Sequence, residues 1–208
     1  MRRKEFLTEK AEELETFLAD MSFGFLGTAG TDGAPGVTPL NFVYWNGAIY
    51  FHGSRIGEKM DRIAADPRVA FAVAKEYAVI PSYFSDPFLA CPATAYFKSV
   101  LIRGTARPVE DIGEKAGALE ALMRKLQPEG GYRPIAADDP EYRKRLAGVA
   151  VVKIEIESIT GKFKFGQNAS GKMRGAIADG LRRRGRELDD ETVRLMDRYC
   201  PHHRQADH

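Results

Sequence analysis

Short runs of β-branched, aromatic and other apolar residues, separated by glycine- and proline-rich turns, dominate the first third of the chain. Residues 24–29 (GFLGTA), residues 37–44 (VTPLNFVY) and a run that begins at Ile49 are the first three. The pair Asn46-Gly47 stands between the second and third runs, and an Asn-Gly pair in that position is the strongest short hairpin signal. The pattern therefore predicts an antiparallel meander of three successive strands.

Apolar periodicity predicts further strands and several helices downstream. The predicted strands are residues 68–74, 95–108 and 149–159, and the predicted helices are residues 9–21, 57–65, 111–126, 170–184 and a last one from Asp189 to Cys200. Between two of the strands, residues 80–94 interleave prolines with bulky apolar side chains, which indicates an irregular loop. The fold class expected is mainly β with flanking helices, arranged as a small six-stranded antiparallel barrel.

Length and composition describe an ordinary soluble protein. The 208 residues suffice for one domain, expected over residues 1–160, with a C-terminal helical extension over residues 161–208 that packs on the barrel or on a partner subunit. A net charge of +2 gives no reason to expect nucleic acid or an anionic membrane as partner. No apolar run is long enough to span a bilayer or to act as a signal peptide, so a cytoplasmic location is expected.

Cysteine and histidine usage gives no metal or disulfide prediction. Cys91 and Cys200 are the two cysteines, and Cys91 has no Cys or His at metal-ligand spacing in its own segment. Three of the four histidines, His202, His203 and His208, lie in the last seven residues, which are interpreted as a solvated terminus. The basic runs at residues 143–145 and 181–186 are interpreted as solvated helix faces, since no DNA-reading helix pair accompanies them.

Residues 49–63 (IYFHGSRIGEKMDRI) carry the most specific chemical signal. An aromatic strand ends at His52 and passes through a Gly/Ser/Arg turn into the start of a helix. Free N–H groups at a helix N-terminus, the Ser54 hydroxyl and the cations of Arg55 and Lys59 together suit a phosphate dianion. His52 is placed to lie against a flat ring. The alternative for Ser54 is plain helix capping and for Lys59 a solvated helix lysine.

Several segments of the chain together resemble a known superfamily. TPLNFVYWNGAIYFHGSRIGEKMDRIAADPRVAFAV, followed by YFKSVLIRGTARPVED, resembles the pyridoxamine 5'-phosphate oxidase-like FMN-binding split barrels, nearest the nitroimidazole-resistance-type proteins. The later KFKFGQN (residues 162–168) resembles the KFKxxQN segment of PaiB-type FMN-binding regulatory proteins. The resemblance implies a split β-barrel and a homodimer with FMN sites at the subunit interface.

The resemblance also implies which residues bind the cofactor. Pro39, Leu40, Asn41 and Phe42 would line the isoalloxazine, His52 would lie beside it, and Ser54, Arg55 and Lys59 would bind the phosphate; Ser99, Gln167 and Asn168 would add polar contacts. Asn41 and Ser99 could instead be ordinary strand residues, and Lys162, Lys164 and Gln167 an exposed hairpin end. If Lys162 and Lys164 do face the flavin, their charge would stabilise its anionic reduced form.

The function expected is that of an FMN-dependent oxidoreductase acting on a small molecule, with nitroaromatics as one candidate class. VTPLNF replaces the R-x-x-L-L-K strand of the pyridoxamine phosphate oxidases, so oxidation of that vitamer is not expected. No Rossmann fingerprint is present, so NAD(P)H would bind transiently as electron donor. No catalytic residue is assigned. Three alternatives remain open: an FMN-binding regulator without turnover, a haem-binding split barrel with His52 as iron ligand, and a deazaflavin protein.

Overall fold

The computed structural model describes residues 3–30 and 32–201, and the three C-terminal histidines of the predicted solvated tail lie outside these ranges. Eight strands and six α-helices occur in the described part of the chain. The strands are β1 (Leu7–Thr8), β2 (Phe23–Ala29), β3 (Pro35–Asn41), β4 (Val43–Trp45), β5 (Ala48–Gly53), β6 (Arg68–Ile80), β7 (Thr94–Pro108) and β8 (Ala150–Lys164). The helices are α1 (Ala11–Asp20), α2 (Glu58–Ala65), α3 (Ile112–Leu126), α4 (Pro140–Gly148), α5 (Gly171–Arg184) and α6 (Asp189–Arg198).

The chain divides into two compact units. One, the barrel unit, comprises Glu9–Val73 and Val100–Thr160; the other, the C-terminal unit, comprises the described parts of Met1–Thr8, Ala74–Ser99 and Gly161–His208. The long strands β6, β7 and β8 contribute residues to both units. Residues 161–208 therefore share their unit with two earlier stretches of the chain.

The sheet of the barrel unit bends back on itself. Its strand order is β3-β2-β6-β7-β8-β5-β4, with antiparallel pairing wherever the register is resolved. β3 and β4 stand at opposite ends of this order, yet Phe42 alone separates them in sequence. Because one residue spans only a few ångström, the two ends of the sheet must come close together. The expected mainly antiparallel split-barrel class is confirmed.

Two details of the predicted sheet are wrong. The sheet has eight strands rather than six, and the first three runs do not form a meander. Residues 37–44 break at Phe42 into two strands, of which β3 pairs with β2 while β4 pairs with β5. The additional strand β1 is only two residues long and pairs with β8 through Leu7 and Lys162, so it is too short for a hydrophobic periodicity to predict it.

Close packing inside the barrel unit explains Gly24 and the burial of Phe42. The Phe42 side chain is fully buried and meets the Phe71 ring edge-on at 5.0 Å. A Cβ on Gly24 would lie 2.5 Å from the same Phe71 ring, so β2 requires glycine at that position. The predicted Asn46-Gly47 hairpin is confirmed, with φ of 47° and 75° at the two turn residues.

An aromatic cluster and a buried arginine organise the C-terminal unit. Phe165 stacks on Tyr199 at 5.5 Å and meets Tyr77 edge-on at 5.4 Å. The guanidinium of the buried Arg174 donates hydrogen bonds to the carbonyls of Phe165 (3.1 Å) and Gly166 (2.9 Å). These bonds satisfy the backbone just after β8, where the chain turns toward α5. The predicted limits of α5 are confirmed by the Ser170 cap and the left-handed Gly185.

No helix within residues 3–30 and 32–201 has both the length and the apolar character that a membrane crossing demands.

Candidate functional site

The segment between β5 and α2 forms the core of the candidate site. Antiparallel pairing of His52 with Val151 and of Gly53 with Ala150 fixes the end of β5 against the start of β8. The chain then turns through residues 54–57 and enters α2 at Glu58. Gly57 is the N-cap residue, with φ of 120°, a conformation that side-chain-bearing residues rarely adopt. The sequence thus places a histidine and an unhindered helix N-terminus within a few residues of each other.

The turn is held by local hydrogen bonds that leave the helix entrance uncapped. The Ser54 hydroxyl accepts a hydrogen bond from the backbone N–H of Ile56 at 3.2 Å, and Arg55 donates to the carbonyl of Ala147 in α4 at 2.6 Å. No side chain caps the N-terminus of α2. The Met60 N–H donates to the Gly57 carbonyl at 2.8 Å, so the N–H groups of Glu58 and Lys59 are the ones available to an anion at the entrance that the sequence predicted.

Lys59 and His52 share an environment that disfavours positive charge. The Lys59 ammonium lies 5.1 Å from the centre of the buried Phe51 ring, and burial lowers its pKa. His52 retains exposed surface, but partial burial and then the charge of Lys59 lower its pKa as well. The Glu58 carboxylate, in the first turn of α2, is bound to Arg62 at 2.6 Å. A dianion at this position would relieve the repulsion between the two groups.

Residues 39–42 alternate between the surface and the core. Pro39 and Asn41 are exposed, whereas Leu40 and Phe42 are buried. The Asn41 amide donates to the carbonyl of Ser22 at 3.0 Å, which ties the end of β3 to the start of β2. Of these four residues, Pro39 and Asn41 can contact a ligand outside the barrel, whereas the side chains of Leu40 and Phe42 are buried in the core.

Two exposed aromatic residues beside this strand were missed by the sequence analysis. Phe23 and Phe25 are 46% and 45% exposed and meet edge-to-face at 6.1 Å. In the β2–β3 register they stand opposite Asn41 and Pro39. The available signal was that β2 is apolar on both faces, which is typical of a strand covered on both sides.

The remaining predicted site residues belong to the C-terminal unit. Ser99 is half-buried on β7. The Gln167 side chain is engaged with its own turn: its amide donates to the Phe163 carbonyl at 2.6 Å and its oxygen accepts from the Phe165 N–H at 2.7 Å. Asn168 lines a cavity of this unit together with Lys162 and Lys164. The local bonds of Gln167 give it a structural role in shaping the turn.

A metal centre has no basis in the described residues. Within them, no group of three His, Cys, Asp or Glu side chains is arranged to hold an ion. At the β5–α2 turn, the uncapped helix entrance and the lowered pKa of His52 suit anion binding beside a neutral imidazole.

Comparison with known proteins places this geometry in context. The family model for pyridoxamine 5'-phosphate oxidase matches residues 10–163. Among solved structures, a Bacteroides thetaiotaomicron protein described as a 5-nitroimidazole antibiotic resistance protein is similar, with TM-score 0.59, 24% identity, and coverage of 75% of this chain and 85% of that one. No protein among the curated sequences matches.

Two further solved structures share the fold. The flavocytochrome Anf3 from Azotobacter vinelandii has TM-score 0.62 and 21% identity, covering 76% of this chain and 69% of that one. A FAD- and haem-binding protein from Mycobacterium smegmatis has TM-score 0.61 and 19% identity, covering 76% of this chain and 73% of that one. At these identities the likeness extends to the fold alone.

Proposed function

Because the chain belongs to the pyridoxamine 5'-phosphate oxidase family, we propose that it is a flavoprotein that binds FMN and transfers electrons to or from a small molecule. The uncapped entrance of α2 beside Lys59 and His52 carries this proposal. FMN is a flat aromatic ring joined to a phosphate monoester, and the site offers N–H donors and a cation for the phosphate next to an imidazole for the ring.

The phosphate would be held by the α2 entrance and Lys59. The space beside Gly57 is open to a ligand, since a Cβ built there would meet nothing within 4 Å. Ser54 shapes the turn through its bond to Ile56, and Arg55 anchors the turn to α4. These two residues therefore position the donors, which are the N–H groups of Glu58 and Lys59 and the Lys59 ammonium.

The ring would lie against Pro39, Asn41 and His52. Depression of its pKa keeps His52 neutral near pH 7, so the imidazole can pack against or hydrogen-bond a neutral ring without a charge of its own. The bound flavin would supply hydride or electron acceptance, and the protein would supply binding, orientation and electrostatics. No side chain of this site is assigned a covalent step.

A homodimer completes the proposal. The outer face of β2 and β3 exposes Phe23, Phe25, Val37 and Pro39, and Val37 is 68% exposed. An apolar sheet face of this kind beside a ligand site is typical of a surface covered by a partner. A second copy of the chain would cover this face and enclose the ring.

The substrate is proposed to be a small electron acceptor, with nitroaromatics as the class to assay first and NAD(P)H as donor. The name of the similar Bacteroides protein supports that choice of assay. Acceleration of NAD(P)H oxidation by a nitroaromatic, in the presence of FMN, would support an enzyme. If bound FMN gives no turnover with any acceptor, the chain acts as a cofactor-binding regulator instead.

The decisive experiment compares FMN with riboflavin. Purified protein is first examined by absorbance, and the two flavins are then titrated into the wild type and into Lys59→Gln. FMN is expected to bind more tightly than riboflavin, and Lys59→Gln is expected to cost FMN about 1–3 kcal/mol while leaving riboflavin unchanged. Equal loss for both ligands would remove Lys59 from the phosphate site. A Soret band would favour haem, and preferential binding of a deazaflavin would favour that cofactor.

A further inference from the structure

The cavity lined by Asn168, Lys162 and Lys164 lies within the C-terminal unit. Its volume is about 630 Å³, in the range of small-molecule sites. Residues from three separate stretches of the chain line it: the N-terminal segment, the loop before β7, and the end of β8 with α5. All of them belong to the C-terminal unit. The cavity is therefore built by tertiary structure rather than by one surface loop.

Three cations and no described carboxylate line this cavity. They are Arg3, Lys162 and Lys164. Lys164 donates a hydrogen bond to the hydroxyl of Thr94, and Lys162 lies 5.2 Å above the ring of Phe97. Within the part of the chain that the structure describes, their one ion pair joins Arg3 to Glu5 at 3.9 Å, a long and exposed contact.

The cations repel one another in a partly desolvated place. Burial, Lys162 and Arg3, in that order, lower the pKa of Lys164. A cluster of like charges that is partly removed from water gains free energy when an anion enters, and Glu5, 3.9 Å from Arg3, offsets the charge of Arg3 but does not pair with either lysine. The cluster thus has the electrostatics of a binding site rather than of a solvated surface.

Most of the remaining lining is apolar, although Thr94, Tyr96 and Asn168 contribute polar groups. Phe6 and Ile177 are buried, and Met173 is partly exposed at the start of α5. Tyr96 is also buried there, and burial raises its pKa to about 12, so its phenol stays neutral and can donate a hydrogen bond. A ligand that suits this lining combines one anionic group with an apolar body.

We propose that this cavity binds a small organic anion, with a carboxylate or phosphate group on Arg3, Lys162 and Lys164 and an apolar body against Phe6, Met173 and Ile177. The site is distinct from the α2 entrance and does not depend on flavin binding. Lys162 and Lys164, which the sequence offered as flavin neighbours, act here on a second ligand.

Cys91 provides a reporter, because it lines the cavity and is exposed whereas Cys200 is buried. In the full-length protein, Cys91 is alkylated with anionic iodoacetate and, separately, with neutral iodoacetamide, and both rates are followed by intact-protein mass spectrometry. The ratio of the iodoacetate rate to the iodoacetamide rate is then divided by the same ratio for 2-mercaptoethanol. The cations are expected to raise the normalised ratio about three- to tenfold at low salt, with the excess lost at high salt. A ratio equal to the reference overturns the proposal.

Variants separate the local cations from net charge. Lys164→Gln and, independently, Lys162→Gln should each lower the normalised ratio, whereas Lys172→Gln should not, since Lys172 is exposed in the same unit but does not line the cavity. Circular dichroism melts identify any variant that fails to fold. Equal ratios in all three folded variants would contradict the assignment.

Ligand protection then identifies the anionic group. Benzoate and phenyl phosphate are expected to slow alkylation of Cys91 by iodoacetamide, whereas the neutral control benzyl alcohol is not. The anion that protects Cys91 at the lower concentration shows whether the site prefers a carboxylate or a phosphate. Absence of protection by either anion at about 10 mM overturns the proposal. Protection by FMN, with displacement of FMN by the aryl anions, also overturns it by assigning the cavity to the flavin. Failure of FMN to bind anywhere would leave the anion result intact.

Discussion

At the scale of single residues, Lys125 has an unusual position in the barrel unit. Its ammonium lies 4.3 Å above the ring of the buried Phe42 and donates to the Leu18 carbonyl at 2.8 Å. Burial lowers the pKa of Lys125 to about 8. The cation satisfies a carbonyl in the last turn of α1, but its charge is costly there because water is largely excluded.

The stability of the protein should therefore depend on the ionisation of Lys125. Between about pH 8 and pH 10.5 the unfolded chain binds the proton more tightly than the folded one, so the free energy of unfolding should rise with pH in this window. Urea unfolding at pH 7.5 and pH 10 measures it. From pH 7.5 to pH 10, the free energy of unfolding of the wild type should rise by about 1–3 kcal/mol more than that of Lys125→Met. A constant difference between the two proteins would show that Lys125 titrates normally.

The ionisation of His52 should respond to its neighbour. Because the charge of Lys59 contributes to the depressed pKa of His52, Lys59→Met should raise that pKa toward its ordinary value, although burial will keep it below. NMR titration of the imidazole Cε1–H signal measures the change, with Lys172→Met as control. An identical titration in Lys59→Met would mean that the two side chains do not interact.

At the scale of elements, the corner between α5 and α6 depends on one buried ion pair. Arg184 contacts Asp189 at 2.5 Å and also donates to the Val79 carbonyl at 2.7 Å. The Asp189 carboxylate, only 1% exposed, accepts a further hydrogen bond from the Arg186 N–H at 2.8 Å. The Arg184 hydrogen bond, then the backbone bond, lower the pKa of Asp189, so the pair joins α5, α6 and the end of β6 at neutral pH.

Asp189→Asn should destabilise the protein by about 2–4 kcal/mol at pH 7, because it leaves the Arg184 charge, only 15% exposed, without its carboxylate partner. Since the carboxylate pKa is depressed, this contribution is present at neutral pH and is lost as the pH falls through that folded-state pKa. Chemical unfolding at pH 7 measures it. Asp190→Asn is the control, as Asp190 is exposed in the same helical turn, and equal effects of the two substitutions would contradict the prediction.

The two faces of β2 should respond differently to an added methyl group. At Gly24 a Cβ would lie 2.5 Å from the Phe71 ring, whereas at Gly27 its nearest neighbour would be the Ala70 carbonyl at 3.4 Å. Gly24→Ala should therefore destabilise the protein by about 1–3 kcal/mol through overpacking, and Gly27→Ala by less. Thermal unfolding of both variants tests this, and a Gly24→Ala protein as stable as Gly27→Ala would show that Phe71 moves freely.

At the scale of the whole molecule, the exposed face of β2 and β3 determines the assembly that we propose. Phe25→Glu should convert a dimer to a monomer, because a carboxylate would replace an aromatic ring at the centre of the apolar face. Light scattering after size exclusion measures the mass, and FMN affinity should fall with it. Leu126→Glu is the control: Leu126 is 43% exposed in the same unit but lies on α3. Dimers in both variants would exclude this face as the interface.

Local signals predicted most of the fold, and long-range contacts decided the rest. The Asn46-Gly47 hairpin and the Asp111 and Ser170 caps follow from residues within a few positions of one another. The break at Phe42 does not, because Asn41-Phe42-Val43 has the composition of a continuous strand and its interruption is stabilised by Phe71, far away in sequence. Predicted strands also ended too early, since β6 and β8 continue well beyond their alternating segments.

The candidate site divides in the same way. The α2 entrance was predictable because its donors come from consecutive residues. The bonds of Gln167 to its own turn and the Asn41 bond to Ser22 were not, since a side chain's choice among backbone partners depends on the final geometry. Phe23 and Phe25 had a visible pattern, and the dimer that we propose would explain it by a surface outside the single chain.

The sharing of β6, β7 and β8 between the two units has an evolutionary consequence. Each unit is assembled from discontinuous stretches of sequence, and three of the four boundaries between them fall inside β6, β7 and β8, while the first follows the end of β1. A gene fusion or a truncation at any of those three boundaries would cut through a hydrogen-bonded strand rather than a linker. Neither unit can therefore be exchanged as a module, and the two ligand sites that we propose would be inherited together.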